Sequence, residues 1–221
     1  SSGDTVKLMA DIWITPTGEG TRLTPQVSLN TEVTLDLNGY TLGVAESAHG
    51  QSLTYTPVLL SVETGAKLTI TGNGTITSEC GNNNSYCIDV NGGEVVVENG
   101  KFYGAVTAIQ VESGNLIING GTFDLAPTCK AQVPDYAKYV VNCIDKAFGD
   151  NTATISITGG TFVNFDPSDN PEGTGTSYVA ESYTPAIDVD GNFEILSESD
   201  ENIVIDKATG NKYVNQEAME A

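Results

Sequence analysis

The sequence predicts an all-β chain, specifically a right-handed parallel β-helix, and three observations carry that prediction. A short phrase recurs five times, as LDLNGYTL around Gly39, LTITGNGTI around Gly72, VVVENGKF around Asn99, LIINGGTF around Gly120 and ISITGGTF around Gly159. A second apolar tetrapeptide also recurs in fixed order, as LLSV (59–62), CIDV (87–90), AIQV (108–111), CIDK (143–146) and AIDV (186–189). The composition agrees, with 24 glycines, abundant Thr and Asn, and almost no helical periodicity. A unit returning every ~20–40 residues, too small to bury its own apolar face, implies stacking of one repeat on the next.

Each phrase is an alternating strand that ends at a corner. Alternation puts Val95 and Val97, then Leu116 and Ile118, then Ile155 and Ile157, in one inward row. The corner needs positive φ, which Gly and Asn adopt at little cost, and Gly or Asn stands there in every copy. Beyond the corner Phe102, Phe123 and Phe162 are expected to point inward. In the tightest pair of repeats the strands lie about 21 residues apart. An antiparallel sandwich is the alternative, but it gives no reason for one strand pair to recur in one order.

The expected organisation has three parts: an N-terminal strand and cap over 1–30, a parallel β-helix over 31–195, and a C-terminal hairpin and tail over 196–221. Trp13 in DIWIT is expected to plug the first repeat, because a stacked core has two ends to cover. NIVIDKATGNKYV supplies a hairpin around 208–211, and NQEAMEA reads as a mobile or partner-bound tail. Longer insertions, SECGNNNS (78–85), APTCKAQVPDYAKY (126–139) and DPSDNPEGTGTSYVAES (166–182), all follow a corner strand and precede the second strand. They should therefore emerge from one side as an interaction surface. The abrupt opening on SSGDTVKLMADIWIT suggests a processed product or a piece of a longer polypeptide. No signal peptide is recognisable, and no apolar run approaches ~18 residues.

The net charge of −20, from 29 acids against 9 bases, speaks against nucleic acid as a partner, which would need a basic footprint. It equally disfavours anionic membranes, and no membrane insertion is expected. The four cysteines occupy matching places in two repeats. Cys80 with Cys87, and Cys129 with Cys143, fit either two local disulfides or four buried thiols acting as small apolar groups. Their spacing does not suit zinc.

The second strand carries a polar column of Ser61, Asp89, Gln110, Asp145 and Asp188. Neighbouring positions in a parallel stack are ~4.8 Å apart, so these carboxylates are weak candidates for Ca²⁺ (Asp89, Asp145, Asp188) or for glycan hydrolysis. A polysaccharide-cleaving enzyme is one alternative reading. Against it, the single Arg lies outside the column, His49 sits in a loop-like stretch, and no aromatic row stands beside the acids. The column is expected to be a solvated face; no catalytic residue, metal or cofactor is assigned.

Taken together, SGDTVKLMADI (2–12), VTLDLNGYTL (33–42) and the run from YVVNCID to SYVAESY (139–183) resemble a widespread group of small β-helix domains. These occur in proteins of tailed bacteriophages and of gut bacteria. The resemblance covers roughly residues 4–190 and leaves the C-terminal hairpin unmatched. It implies a non-enzymatic virion surface protein (a head fibre, capsid decoration or tail-fibre segment), often a homotrimer. Its partners would be capsid or other virion proteins, with host-surface glycans or proteins as adhesion targets. A bacterial cell-surface adhesin of the same fold is the other reading.

Overall fold

The computed structural model describes residues 3–17, 23–44, 56–78, 85–127, 139–169 and 176–221. The chain is all-β with mostly parallel sheets, and its strands form three parallel ladders. The first starts with β1 (Asp4–Lys7). It continues through β4 (Glu32–Asp36), β7 (Lys67–Thr71), the second halves of β9 (Tyr86–Val97) and β11 (Thr107–Ile118), and β14 (Ala153–Ile157). The second ladder runs through β3 (Leu23–Leu29), β6 (Thr56–Glu63), the first halves of β9 and β11, and β13 (Val141–Cys143). A third takes β2 (Ile12–Ile14), β5 (Thr41–Val44), β8 (Thr75–Ser78), β10 (Lys101–Gly104), β12 (Thr122–Leu125) and β15 (Thr161–Phe162).

The recurring phrases become stacked rows. Register aligns Val33, Leu68, Val95, Leu116 and Ile155, and beside them Leu35, Ile70, Val97, Ile118 and Ile157. The third ladder aligns Leu42, Ile76, Phe102, Phe123 and Phe162. Phe102 and Phe123 stack with ring centroids 4.9 Å apart, and Phe123 and Phe162 at 5.0 Å. That spacing equals the strand repeat, so identical residues at one position lock successive repeats in register. All nine residues expected to point inward (Val95, Val97, Phe102, Leu116, Ile118, Phe123, Ile155, Ile157 and Phe162) are buried.

The corners explain the double glycine. Gly121 and Gly160 have φ of 101° and 100°, where a side chain is strained. The preceding Gly159 is needed for space, since a Cβ there would stand 2.3 Å from the Asn119 carbonyl oxygen.

Three expectations about the ends are corrected. The strands expected to cap the stack from within 1–30 belong to its ladders: β1, β2 and β3 pair in parallel with β4, β5 and β6. Trp13 is no plug. Ile12 and Ile14 line the interior, so strand alternation turns Trp13 outward, where it is 50% exposed and lies over Gly43. Parallel stacking also stops short of 195. β16 (Tyr183–Ile187) and β17 (Phe193–Ser197) form an antiparallel pair, and β17 runs antiparallel against β15, setting Phe193 opposite Phe162. The C-terminal hairpin is present as β18 (Val204–Ile205) and β19 (Lys212–Tyr213). The tail ends in α2 (Gln216–Glu220), where Asn215 Oδ1 accepts the Ala218 N–H at 2.9 Å, an N-cap that the sequence reading missed.

Candidate functional site

The polar column exists, but its membership differs from the expectation. Parallel register aligns Ser28, Ser61, Asp89, Gln110 and Asn142. Asp145 is not in it: the chain leaves β13 at Cys143, and Asp145 opens the short helix α1 (Asp145–Gly149). Lys146 and Asp150, four residues apart, pair across that turn. Asp188 is elsewhere again. Its Oδ1 accepts the N–H groups of Asp190 and Asn192 at 2.9 and 2.8 Å, which makes it the anchor of the β16–β17 turn. The candidate cation ligands Asp89, Asp145 and Asp188 are therefore not brought together. Among the described residues no group of three or more His, Cys, Asp and Glu is arranged to hold a metal ion.

The column is not the solvated face expected of it. Ser61, Asp89 and Gln110 are buried, with Asp89 only 4% exposed. Most members are paired. Asn142 Nδ2 donates to Gln110 Oε1 at 3.0 Å, Ser61 Oγ donates to Glu63 Oε1 at 2.9 Å, and Asn91 Nδ2 donates to Glu63 Oε2 at 2.8 Å. Among the described residues Asp89 Oδ1 has no hydrogen-bond partner. Burial, and then the charges of Glu112 and Glu63, push its pKa up to about 7. Burial also raises Glu112, against the opposing effect of its hydrogen bond with Gln110. Glu63, Glu112 and Asn142 were missed from the sequence. Register shifts where β9 and β11 bend hide which residues face Asp89.

A second polar concavity was also missed. Asp166, Ser168, Thr184, Phe193, Asn211 and Lys212 line a groove of about 270 Å³ beside the C-terminal hairpin. Lys212 Nζ donates to Thr184 Oγ1 at 2.8 Å and lies 3.7 Å from Glu198. It combines an apolar floor with groups of both hydrogen-bonding senses.

Two of the three insertions, 78–85 and 126–139, leave from aligned strand ends. The ends of β8, β10 and β12, at Ser78, Gly104 and Leu125, lie in one register row. The returning strands realign at Val58, Tyr86 and Thr107. In the β8–β9 connection the footholds are tied directly, Ser85 Oγ donating to the Ser78 carbonyl at 2.7 Å. At the return into β13, Thr107 Oγ1 donates to the Tyr139 carbonyl at 2.7 Å. The repeat between them closes in a tight turn: a Cβ on Gly104 would stand 1.9 Å from the Thr107 carbonyl oxygen.

Cys87 and Cys143 are buried. Cys80 and Cys129 lie outside the described residues, and so do the two candidate pairings; His49 lies outside them as well. Among the described residues no helix is long and apolar enough to cross a membrane. No protein-family model, curated protein or solved structure matches the chain.

Proposed function

We propose that the chain is a right-handed parallel β-helix serving as a non-enzymatic display element on a virion surface, a capsid decoration or fibre domain. The observation that carries this reading is the row of aligned footholds. A parallel stack from whose aligned strand ends two of the insertions leave, with hydrogen bonds at the flanks of both, suits a display element. Continuous backbone pairing resists local opening, and contacts made by the insertions gain through repetition on a particle. The resemblance of the 139–183 stretch to phage surface domains supplies the virion setting; a bacterial cell-surface adhesin is the same device on another surface. Mass spectrometry of purified particles tests it. The chain should be present at a stoichiometric level, and its absence from particles made in the same lysate would sink the virion reading.

Asp89 favours a second reading, as a polysaccharide-cleaving enzyme. A carboxyl titrating near neutrality beside two other carboxylates is the raw material of acid–base catalysis. Release of reducing ends from a glycan panel, abolished by Asp89→Asn, would support it; no release from any member would remove it.

A further inference from the structure

We infer that the groove between the β16–β17 pair and the C-terminal hairpin binds a single neutral sugar ring. Its walls come from separate elements. Asp166 and Ser168 follow β15, Pro185 stands on β16, Phe193 opens β17, and Asn211 leads into β19 at Lys212. At about 270 Å³ the groove lies at the small end of ligand clefts, which suits one ring-sized ligand.

These walls are fixed to one another before any ligand arrives. Ile187 pairs antiparallel with Phe193 and in parallel with Tyr213, so one residue of β16 ties the aromatic wall to the hairpin. The Val214 N–H donates to the Ile187 carbonyl at 3.0 Å. In the hairpin turn Asp206 accepts the Ala208 N–H at 2.8 Å and the Thr209 hydroxyl at 2.7 Å, and Thr209 Oγ1 accepts the Asn211 N–H at 3.2 Å. Beyond β15, Asp166 Oδ1 accepts both the N–H and the hydroxyl of Ser168, at 2.9 and 2.8 Å. A cleft built in advance spares a small ligand the ordering cost of shaping it.

The lining selects the class of ligand. Asp166 and Lys212 line the groove with one charge of each sign. Lys212 is already engaged, donating to Thr184 Oγ1 at 2.8 Å and lying 3.7 Å from Glu198. An anion would meet one paired cation in a chain of net charge −20, and a cation would meet Lys212 itself. A wholly apolar ligand would strip water from Asp166, Lys212 and the Asn211 amide without replacing those hydrogen bonds. A sugar ring meets both demands. Its hydroxyls can donate to Asp166 and accept from Lys212, with Asn211 able to do either, while its C–H face packs on Phe193 and Pro185. Binding here does not depend on where the chain is displayed, so this site and the virion reading can fail separately.

Two-dimensional NMR on the isotope-labelled full chain provides the test. Glucose, galactose, mannose and N-acetylglucosamine serve as neutral probes, with glucuronate and inorganic phosphate as anionic ones. At least one neutral sugar should shift the amides of Thr184, Ile187, Phe193 and Lys212, saturating with a Kd on the order of 1 mM. Asn211→Ala, a change at an exposed position, should weaken that sugar about fivefold. Phe193→Ala should weaken it about tenfold. Phe193 also sits opposite Phe162 in the sheet, so if its variant misfolds Asn211→Ala decides alone. Lys67→Ala, on the first ladder, should leave the affinity unchanged. No saturable shift with any neutral sugar, tighter binding of glucuronate or phosphate, shifts confined to other parts of the chain, or an unchanged affinity in Asn211→Ala would each overturn the inference.

Discussion

Two columns within this stack are built by the same rule from opposite chemistry. In one, Phe102, Phe123 and Phe162 repeat at one register position and stack at 4.9 and 5.0 Å. In the other, Ser61, Asp89, Gln110 and Asn142 repeat at one position and are also largely buried. Parallel register brings like positions within contact in both. For aromatic rings that proximity is favourable throughout. For polar groups it is favourable only where donors meet acceptors, as between Asn142 and Gln110, and unfavourable where carboxylates meet, as around Asp89. Stacking amplifies whatever chemistry the repeat supplies.

The strongest way to break the comparison is in the aromatic column. Phe123→Ala removes the central ring of three fully buried ones and should destabilise by roughly 3–5 kcal/mol, read from urea unfolding midpoints. A loss under about 1 kcal/mol would mean that the rings fill space without setting register.

The polar column should respond in the opposite direction. Asp89 titrates near 7 in the folded state, well above the ordinary carboxylate range, so the folded chain holds a proton that the unfolded chain releases. Its contribution to stability is fully present below about pH 4 and is lost as pH rises to about 7, with a limiting slope near 1.4 kcal/mol per unit. Asp89→Asn should remove that slope and raise stability at pH 8 by roughly 1–3 kcal/mol. Unfolding midpoints for both proteins across that window provide the check; parallel curves would refute the buried-proton account.

The smallest effect is expected outside both columns. Lys67 and Glu94 pair at 2.7 Å on neighbouring strands of the first ladder, with much of each side chain in water. Their hydrogen bond raises the Lys67 pKa. Lys67→Ala should cost only about 0.2–1 kcal/mol and less in high salt. A larger loss would show that surface pairing contributes to register alongside the rings.

The columns were not equally legible in the sequence. The aromatic one was, because each Phe follows a glycine corner at a constant offset. The polar one was half legible. CIDV, AIQV and CIDK look like the same strand, yet the third breaks after Cys143 into a helical turn, so Asn142 takes the column position. AIDV misled for a different reason: Asp188 organises a turn with Asp190 and Asn192 that sends β17 back antiparallel, and the Asp-Gly pair at 190–191 was the available signal.

By itself the sequence determined the all-β class, the corner glycines, the inward rows and the sites of insertion. These follow from period-2 alternation and from backbone conformations that only a few residues accept. Tertiary structure alone decided which polar residues share a column, that Asp89 is buried near two other carboxylates, and that the first strands join the stack. Such properties depend on register, bends and burial, where residues far apart in the chain meet, and no local pattern records those distances.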